Sequence, residues 1–167
     1  MSLAHDLLLQ AHLLASLDPR RPKQANLRRA VSAAYYALFH LLLEESSQAL
    51  AGVRVTGLAP RVSRAFTHVD MRKACLAFIA QPPQAPLDGL LVHPISHNLR
   101  LIAERFIKLQ ELRHSADYDT TTSFSKVETL ALIGSTQIAF AAWRSIRTTD
   151  EASIFLAALA FGARWSK

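Results

Sequence analysis

The amino-acid sequence predicts an all-α protein, an antiparallel bundle of about five to six helices forming one domain over residues 1–167. Three observations lead to this prediction. Apolar residues recur at helical spacing along much of the chain, no useful stretch alternates with period two, and proline, glycine and capping residues separate the periodic segments. Half of the 167 residues are hydrophobic, which is enough to bury a core without disulfides.

The first helix is predicted over Ala4–Leu17, followed by a stop at Asp18-Pro19, because a residue before proline avoids the helical region. This apolar opening lacks the basic start and small-residue cleavage site of a signal peptide, so we interpret it as an amphipathic helix. The residues expected on one stripe of this helix are Leu3, Leu7, Leu14 and Leu17.

The segment Leu27–Glu45, LRRAVSAAYYALFHLLLEE, is predicted to be the helix around which the rest packs. Pro22 and Asn26 mark its entry, and it should run to about Leu50 and stop at Gly52. A helix that is apolar over most of its circumference is typical of the centre of a bundle. The residues on its main apolar face are Leu27, Val31, Ala34, Leu38, Leu41 and Leu42.

A narrow polar stripe interrupts this central helix, formed by Arg29, Ser32, Tyr36 and His40 beside Leu43. One interpretation is structural: the groups are satisfied at a helix contact, and Arg29 extends to solvent. The other is functional: the stripe is one wall of a site whose second wall is Glu111–Asp119, ELRHSADYD.

The secondary structure in the middle of the chain is less clearly indicated by the sequence than that of the helices on either side. Val53–Pro60 is predicted to be a loop, and Arg61–Ala80 to be one helix or two, with a break near His68–Asp70. Gln81–Pro94 contains four prolines and is predicted to be a surface connection without regular structure.

The next helix is predicted to begin with Pro94 in its first turn and to run to about Ala116. Arg113 continues the apolar stripe of this helix, and a charge in that position requires an explanation. The apolar members of the stripe are Ile95, Leu99, Ile102, Phe106 and Leu109.

Two capping boxes predict the last helices. Ser125 with Glu128, and Thr148 with Glu151, each place a hydroxyl at the N-cap and a carboxylate three residues later. The helices should cover about Lys126–Ile146 and Thr149–Phe161.

The segments LRRAVSAAYYALFH and LRHSADYD together resemble the HEPN (higher eukaryotes and prokaryotes nucleotide-binding) superfamily, in particular a bacterial branch with an Arg-His-x-Ala-Asp-Tyr-Asp signature. The resemblance covers about Leu27–Trp143. It implies an antiparallel helical bundle that often dimerises, and in toxin members a metal-independent ribonuclease in which His follows Arg after four to six residues. Arg113 matches that arginine, but the residue five positions later is Tyr118.

Three functions follow as hypotheses. The first is a non-catalytic module that binds nucleic acid, a nucleotide or a partner such as a nucleotidyltransferase, in a toxin–antitoxin or defence setting. The second is a ribonuclease that uses Arg113 with His114 or His40, and the third is a structural subunit for protein interaction. The candidate catalytic residues are Arg113, His114, Asp117 and Tyr118; the candidate binding residues are Arg29, Ser32, Tyr36 and His40.

The HEPN-like interpretation also makes a geometric prediction. Arg113 should point inward and meet acceptors, because an unpaired buried charge costs several kcal/mol. Asp117 is its expected local partner, and Tyr36 and His40 are its expected neighbours across the helix contact.

Composition limits the remaining possibilities. The net charge of +6 favours polyanionic partners, and the single Cys75 excludes an internal disulfide or a cysteine-based zinc site and suits a reducing cytoplasm. We expect no metal, no cofactor and no membrane span. A homodimer is expected because the central helix carries apolar groups on nearly every side.

Overall fold

Every regular element in the described part of the chain is helical, which confirms the all-α fold class. The computed structural model describes residues 2–51, 58–80, 87–91 and 94–165. The α-helices within them are α1 (Leu3–Ser16), α2 (Gln24–Ala51), α3 (Leu58–Ser63), α4 (His68–Ile79), α5 (His97–Tyr118), α6 (Lys126–Ile146) and α7 (Asp150–Phe161). Short 3-10 turns occur at Leu87–Gly89 and Gly162–Arg164.

The chain forms two compact units. The first comprises Met1–Leu41 and Lys108–Ala141, and the second comprises Leu42–Ile107 and Ala142–Lys167. Helices α2, α5 and α6 each supply residues to both units. The prediction of one domain over residues 1–167 stays a prediction.

Helix α2 is the most deeply buried of the long helices, as expected from its composition. The whole predicted apolar face is buried, and Tyr36, His40 and Leu43 are half-buried. One chain therefore covers α2 without a second copy. The reason given for a homodimer no longer holds, and the homodimer itself stays a prediction. The predicted stop at Gly52 lies outside the described residues.

Helix α1 has the predicted extent within one residue, but the predicted leucine stripe is not its buried face. Its buried side chains are Ala4, Leu8, Ala11 and Ala15. Leu3 and Leu17, expected on one stripe with Leu7 and Leu14, are exposed. His5 of α1 contacts Phe140 of α6 edge-on, with 5.3 Å between the ring centres.

The middle of the chain is more helical than predicted. Leu58–Pro60, expected in a loop, begin α3, and Arg61–Ala80 contains parts of two helices separated by residues 64–67. Thr67 caps α4 by accepting a hydrogen bond from the Asp70 amide. The expected connection Gln81–Pro94 includes the 3-10 turn and two buried leucines, Leu87 and Leu91, while residues 81–86 and 92–93 lie outside the described residues.

Helix α5 starts later than predicted. Pro94 lies outside the helix, and the Ser96 hydroxyl caps α5 by accepting from the Leu99 amide at 3.2 Å. The helix continues past Ala116 to Tyr118. Hydroxyl capping of the first turn therefore sets this boundary.

One of the two predicted capping boxes is confirmed. Ser125 and Glu128 exchange hydrogen bonds at the start of α6, whose bounds are those predicted. At α7 the cap is Thr149 rather than Thr148, and Glu151 accepts from the Ser96 amide at 3.0 Å instead of closing a box. In the second unit, Phe78 of α4 packs edge-on against Phe155 of α7.

In the first unit, α2 and α5 run antiparallel, and the side chain of Arg28 holds the end of α5. The last carbonyls of a helix have no partners within the helix. Arg28 donates to the carbonyls of Ala116 and Asp119, both at 2.9 Å, and also to those of Ser115 and Thr122. The guanidinium also lies 5.9 Å from the centre of the Phe124 ring.

The start of α2 is tied to the start of α6 by one side-chain amide. Gln24 donates to the Phe124 carbonyl at 2.8 Å and accepts from the Phe124 amide at 2.9 Å. These two residues are 100 positions apart in the sequence. This contact and those of Arg28 fix the loop that follows α5.

We predict that Arg28→Met destabilises the protein by about 2–3 kcal/mol, because it removes charged donors from several carbonyls. Urea denaturation followed by circular dichroism measures this change. Arg29→Met is the matched control, since Arg29 is exposed and forms no hydrogen bond or ion pair within the described residues. Equal, small effects of the two substitutions would show that Arg28 does not hold α5.

Candidate functional site

Arg113 points from α5 toward α2 and lies in a cluster of polar side chains. Its Nε lies 2.7 Å from Asp117 Oδ2, one helical turn further on, in an ion pair that lacks the alignment of a hydrogen bond. Its Nη2 donates to the Tyr36 hydroxyl at 3.0 Å, and the guanidinium carbon lies 5.5 Å from the centre of the Tyr36 ring. The predicted contacts of Arg113 with Asp117 and Tyr36 are confirmed.

Ser32 holds the carboxylate of Asp117 from the other helix. Its hydroxyl donates to Asp117 Oδ1 at 2.6 Å, so the two carboxylate oxygens face different partners, Ser32 and Arg113. Ser32 is buried, whereas the side chains of Arg113 and Asp117 are 21% and 20% exposed. The cluster is therefore neither sealed in the core nor free in solvent.

Tyr118 and His114 form the outer part of the cluster. Tyr118 is 65% exposed, and the centre of its ring lies 5.7 Å from the guanidinium carbon of Arg113. His114 is also exposed, and its ring lies 5.1 Å from that of Tyr118. The result is an aromatic surface beside a cation, open to solvent on one side.

The two remaining predicted binding residues, His40 and Arg29, lie at or beyond the edge of the Arg113 cluster. The half-buried His40 contacts the rings of Phe39 and Tyr36, with 6.5 Å between the centres of His40 and Tyr36. It therefore joins the cluster through Tyr36. Arg29 is exposed and forms no hydrogen bond or ion pair within the part of the chain described, so it does not belong to the network.

The electrostatics of the cluster keep Arg113 charged. Burial lowers its pKa, but Tyr36, Asp117 and Tyr118 together raise it by more, so the pKa lies above its ordinary value. The guanidinium is thus a fixed cation. Proton transfer by Arg113 is not available to any chemistry at this site.

Asp119, directly after α5, organises the loop on which Arg28 acts. Its carboxylate accepts hydrogen bonds from the hydroxyls of Thr121 and Thr122 and from the Thr121 amide. These bonds hold the pKa of Asp119 well below its usual range. This loop and Arg28 were missed by sequence reasoning, although the pattern Asp-x-Thr-Thr is a local signal for such a turn.

Other kinds of site receive no support from the described residues. No group of three or more histidine, cysteine or acidic side chains in them is arranged to hold a metal ion. Among the same residues no helix has both the length and the apolar character that crossing a bilayer requires.

Comparisons with family models, with curated proteins and with solved structures found no match for the chain. The HEPN resemblance therefore remains an interpretation of the residues, and the functional roles of the candidate residues stay predictions.

We predict that Ser32→Ala destabilises the protein by about 1–2 kcal/mol, because Asp117 loses a hydrogen bond from a buried donor. Denaturant unfolding measures this, and Ser153→Ala is the control, since the exposed Ser153 hydroxyl bonds only to the carbonyl of Thr149, the cap of its own helix. A double-mutant cycle with Asp117→Asn should be non-additive. Additive effects would contradict the proposed link between α2 and α5.

The lowered pKa of Asp119 predicts a dependence of stability on pH. A carboxyl whose folded-state pKa lies below its unfolded value stabilises the protein at pH values above the unfolded pKa. That stabilisation is lost as the pH falls below about 4. We expect Asp119→Asn to remove part of this loss, measured as a shallower fall in unfolding free energy between neutral and acidic pH. Parallel pH profiles for the two proteins would contradict the assignment.

Proposed function

We propose that this chain is a HEPN-like module that binds single-stranded RNA or a nucleotide at the Arg113 cluster without cleaving it. The observation that carries the proposal is the exposed Tyr118 ring with the Arg113 guanidinium 5.7 Å from its centre. Aromatic rings that accept a stacked base, with a cation nearby for phosphate, are the usual means of binding single strands without sequence preference.

The charge of the chain supports a polyanionic ligand. The sequence contains nineteen lysines and arginines and thirteen acidic residues. This excess of positive charge favours phosphate contacts through release of counterions. Arg29 adds an exposed cation on the same stripe of α2 as Ser32 and Tyr36. We therefore propose that it contacts the ligand backbone while Tyr118 stacks on a base.

The pairing of Arg113 supports binding over cleavage. Metal-free RNA cleavage requires a base, an acid and a cation that stabilises the charge on the reacting phosphate. Arg113 is already paired with Asp117 and anchored by Tyr36, so it is held away from the position of a free catalytic cation. The position five residues after it carries Tyr118 and not the histidine that the resemblance implies.

The rival function is metal-independent ribonuclease activity, and one observation favours it. His114 is exposed beside Arg113, where an imidazole would be accessible to RNA. Incubation of the protein with mixed RNA in EDTA separates the two functions. Cleavage that disappears in Arg113→Ala would overturn the non-catalytic proposal.

The proposed setting is a cytoplasmic toxin–antitoxin or defence system, in which a nucleotidyltransferase-type protein is a candidate partner. This part of the proposal follows from the resemblance. Co-purification of the chain with the product of a neighbouring nucleotidyltransferase gene would test it directly.

We predict that Tyr118→Ala weakens binding of a fluorescein-labelled ten-nucleotide oligouridylate about tenfold, because stacking contributes about 1–3 kcal/mol per base. Fluorescence anisotropy at low salt measures the dissociation constant. Tyr118→Phe should retain most of the affinity, since the ring is kept. Lys108→Ala is the control for loss of charge alone, because Lys108 is an exposed cation on the same helix.

Two outcomes would contradict binding at this cluster. Equal loss of affinity in Lys108→Ala and Tyr118→Ala would indicate a diffuse electrostatic attraction. Absence of any anisotropy change at low salt would favour the third hypothesis, a structural subunit that contacts other proteins.

A further inference from the structure

The guanidinium of Arg113 is only partly used by the protein. Its Nε faces the carboxylate of Asp117 at 2.7 Å, and its Nη2 donates to the Tyr36 hydroxyl at 3.0 Å. Nη1 forms no hydrogen bond or ion pair within the described residues, and unlike Nε it is not buried. Its N–H groups are therefore available to an acceptor that arrives from solvent.

The carboxylate of Asp117 is fixed beside this open nitrogen. The buried Ser32 donates to Oδ1 at 2.6 Å, and Oδ2 lies against Arg113 Nε. Both carboxylate oxygens thus have partners on the protein, and a rotation of the side chain away from Arg113 would break the hydrogen bond from Ser32. A negative charge therefore stays close to any anion that Nη1 binds.

This fixed pair makes the site sensitive to the charge of its ligand. Arg113 and Asp117 carry single charges of opposite sign, so the pair offers no net positive charge to offset a second negative charge on a phosphate. An internal phosphodiester carries one negative charge, whereas a terminal phosphate carries about 1.5 to 2 at neutral pH. The additional charge would lose hydration in a partly buried site and be repelled by the carboxylate.

We propose that Asp117 determines the specificity of this site and selects internal phosphodiesters of a single strand over the terminal phosphates of mononucleotides and strand ends. A diester oxygen accepts a hydrogen bond from Arg113 Nη1 while a neighbouring base stacks on the exposed Tyr118. A dianionic phosphate at the same place meets the carboxylate that Ser32 holds. This inference rests on the proposed function and narrows its ligand from RNA or a nucleotide to the interior of an RNA strand.

A purely structural role of Asp117 has a different consequence. Compensation for the burial of Arg113 requires a partner for the guanidinium, but it does not make binding depend on the charge of the ligand. Asp117→Asn separates the two roles, because it keeps the shape of the side chain and an oxygen for the hydrogen bond from Ser32, and removes the charge. Glu104→Gln is the matched control, since Glu104 is an exposed carboxylate elsewhere on α5 without a hydrogen bond or ion pair within the described residues.

The test uses two ligands that differ in one charge, uridine 5′-monophosphate and its methyl ester. Each competes with the fluorescein-labelled oligouridylate in fluorescence anisotropy, at constant ionic strength and slightly alkaline pH, where the monophosphate is a dianion. Wild type should bind the methyl ester about fivefold more tightly than the monophosphate. Asp117→Asn should bind the two ligands equally, and Glu104→Gln should keep the wild-type preference.

Ser32→Ala is a second variant that does not depend on the folding of Asp117→Asn. It releases the carboxylate without removing its charge, so its preference for the methyl ester should lie between those of wild type and Asp117→Asn. Circular dichroism checks that each variant is folded. A wild-type protein that binds the monophosphate as tightly as the ester would overturn the proposal, and so would an undiminished preference in folded Asp117→Asn or Ser32→Ala.

The same measurements distinguish this inference from the proposed function. Absence of any anisotropy change with the labelled oligouridylate would overturn the proposed function, and the selection by Asp117 with it. Normal binding of the oligouridylate without a preference for the methyl ester would overturn the selection alone.

Discussion

The capping of α5 by Arg28 is the constraint on which the candidate site depends. A helix end with unsatisfied carbonyls would fray, and the last turn of α5 carries Asp117 and Tyr118. Arg28 satisfies those carbonyls from α2. One and two turns further along α2, Ser32 and Tyr36 then meet Asp117 and Arg113. Three contacts at one-turn spacing thus lock two antiparallel helices in register.

The same register explains why the cluster is only partly buried. The side chain of Arg113 is mostly buried, so its guanidinium loses hydration. The carboxylate of Asp117 and the hydroxyl of Tyr36 compensate this loss. Tyr118, one residue past Asp117, already reaches solvent. An anionic ligand at this site would therefore compete with Asp117 for the guanidinium. Most of its affinity would have to come from the aromatic surface and from other cations.

Local signals predicted the fold better than they predicted the packing. The central helix, the bounds of α6 and the Ser125 cap all follow from short-range patterns, and so does the i,i+4 pairing of Arg113 with Asp117. The buried face of α1 could not be predicted, because leucines occupy nearly every side of this helix. Nothing in the sequence marks its alanines as the residues that pack against other helices. The role of Arg28 depends on contacts 87 or more residues away, which no helical period reveals.

The first unit is assembled from two separated stretches of chain, which has a consequence for biosynthesis. Gln24 and Arg28 find their partners only when the segment after Lys108 has left the ribosome. Until then the apolar faces of α1 and α2 remain without the helices that cover them. Long-range closure of this kind slows folding and exposes apolar surface to aggregation. The Arg113 cluster can therefore form only after that segment has been made, whereas the second unit waits for the still later residues Ala142–Lys167.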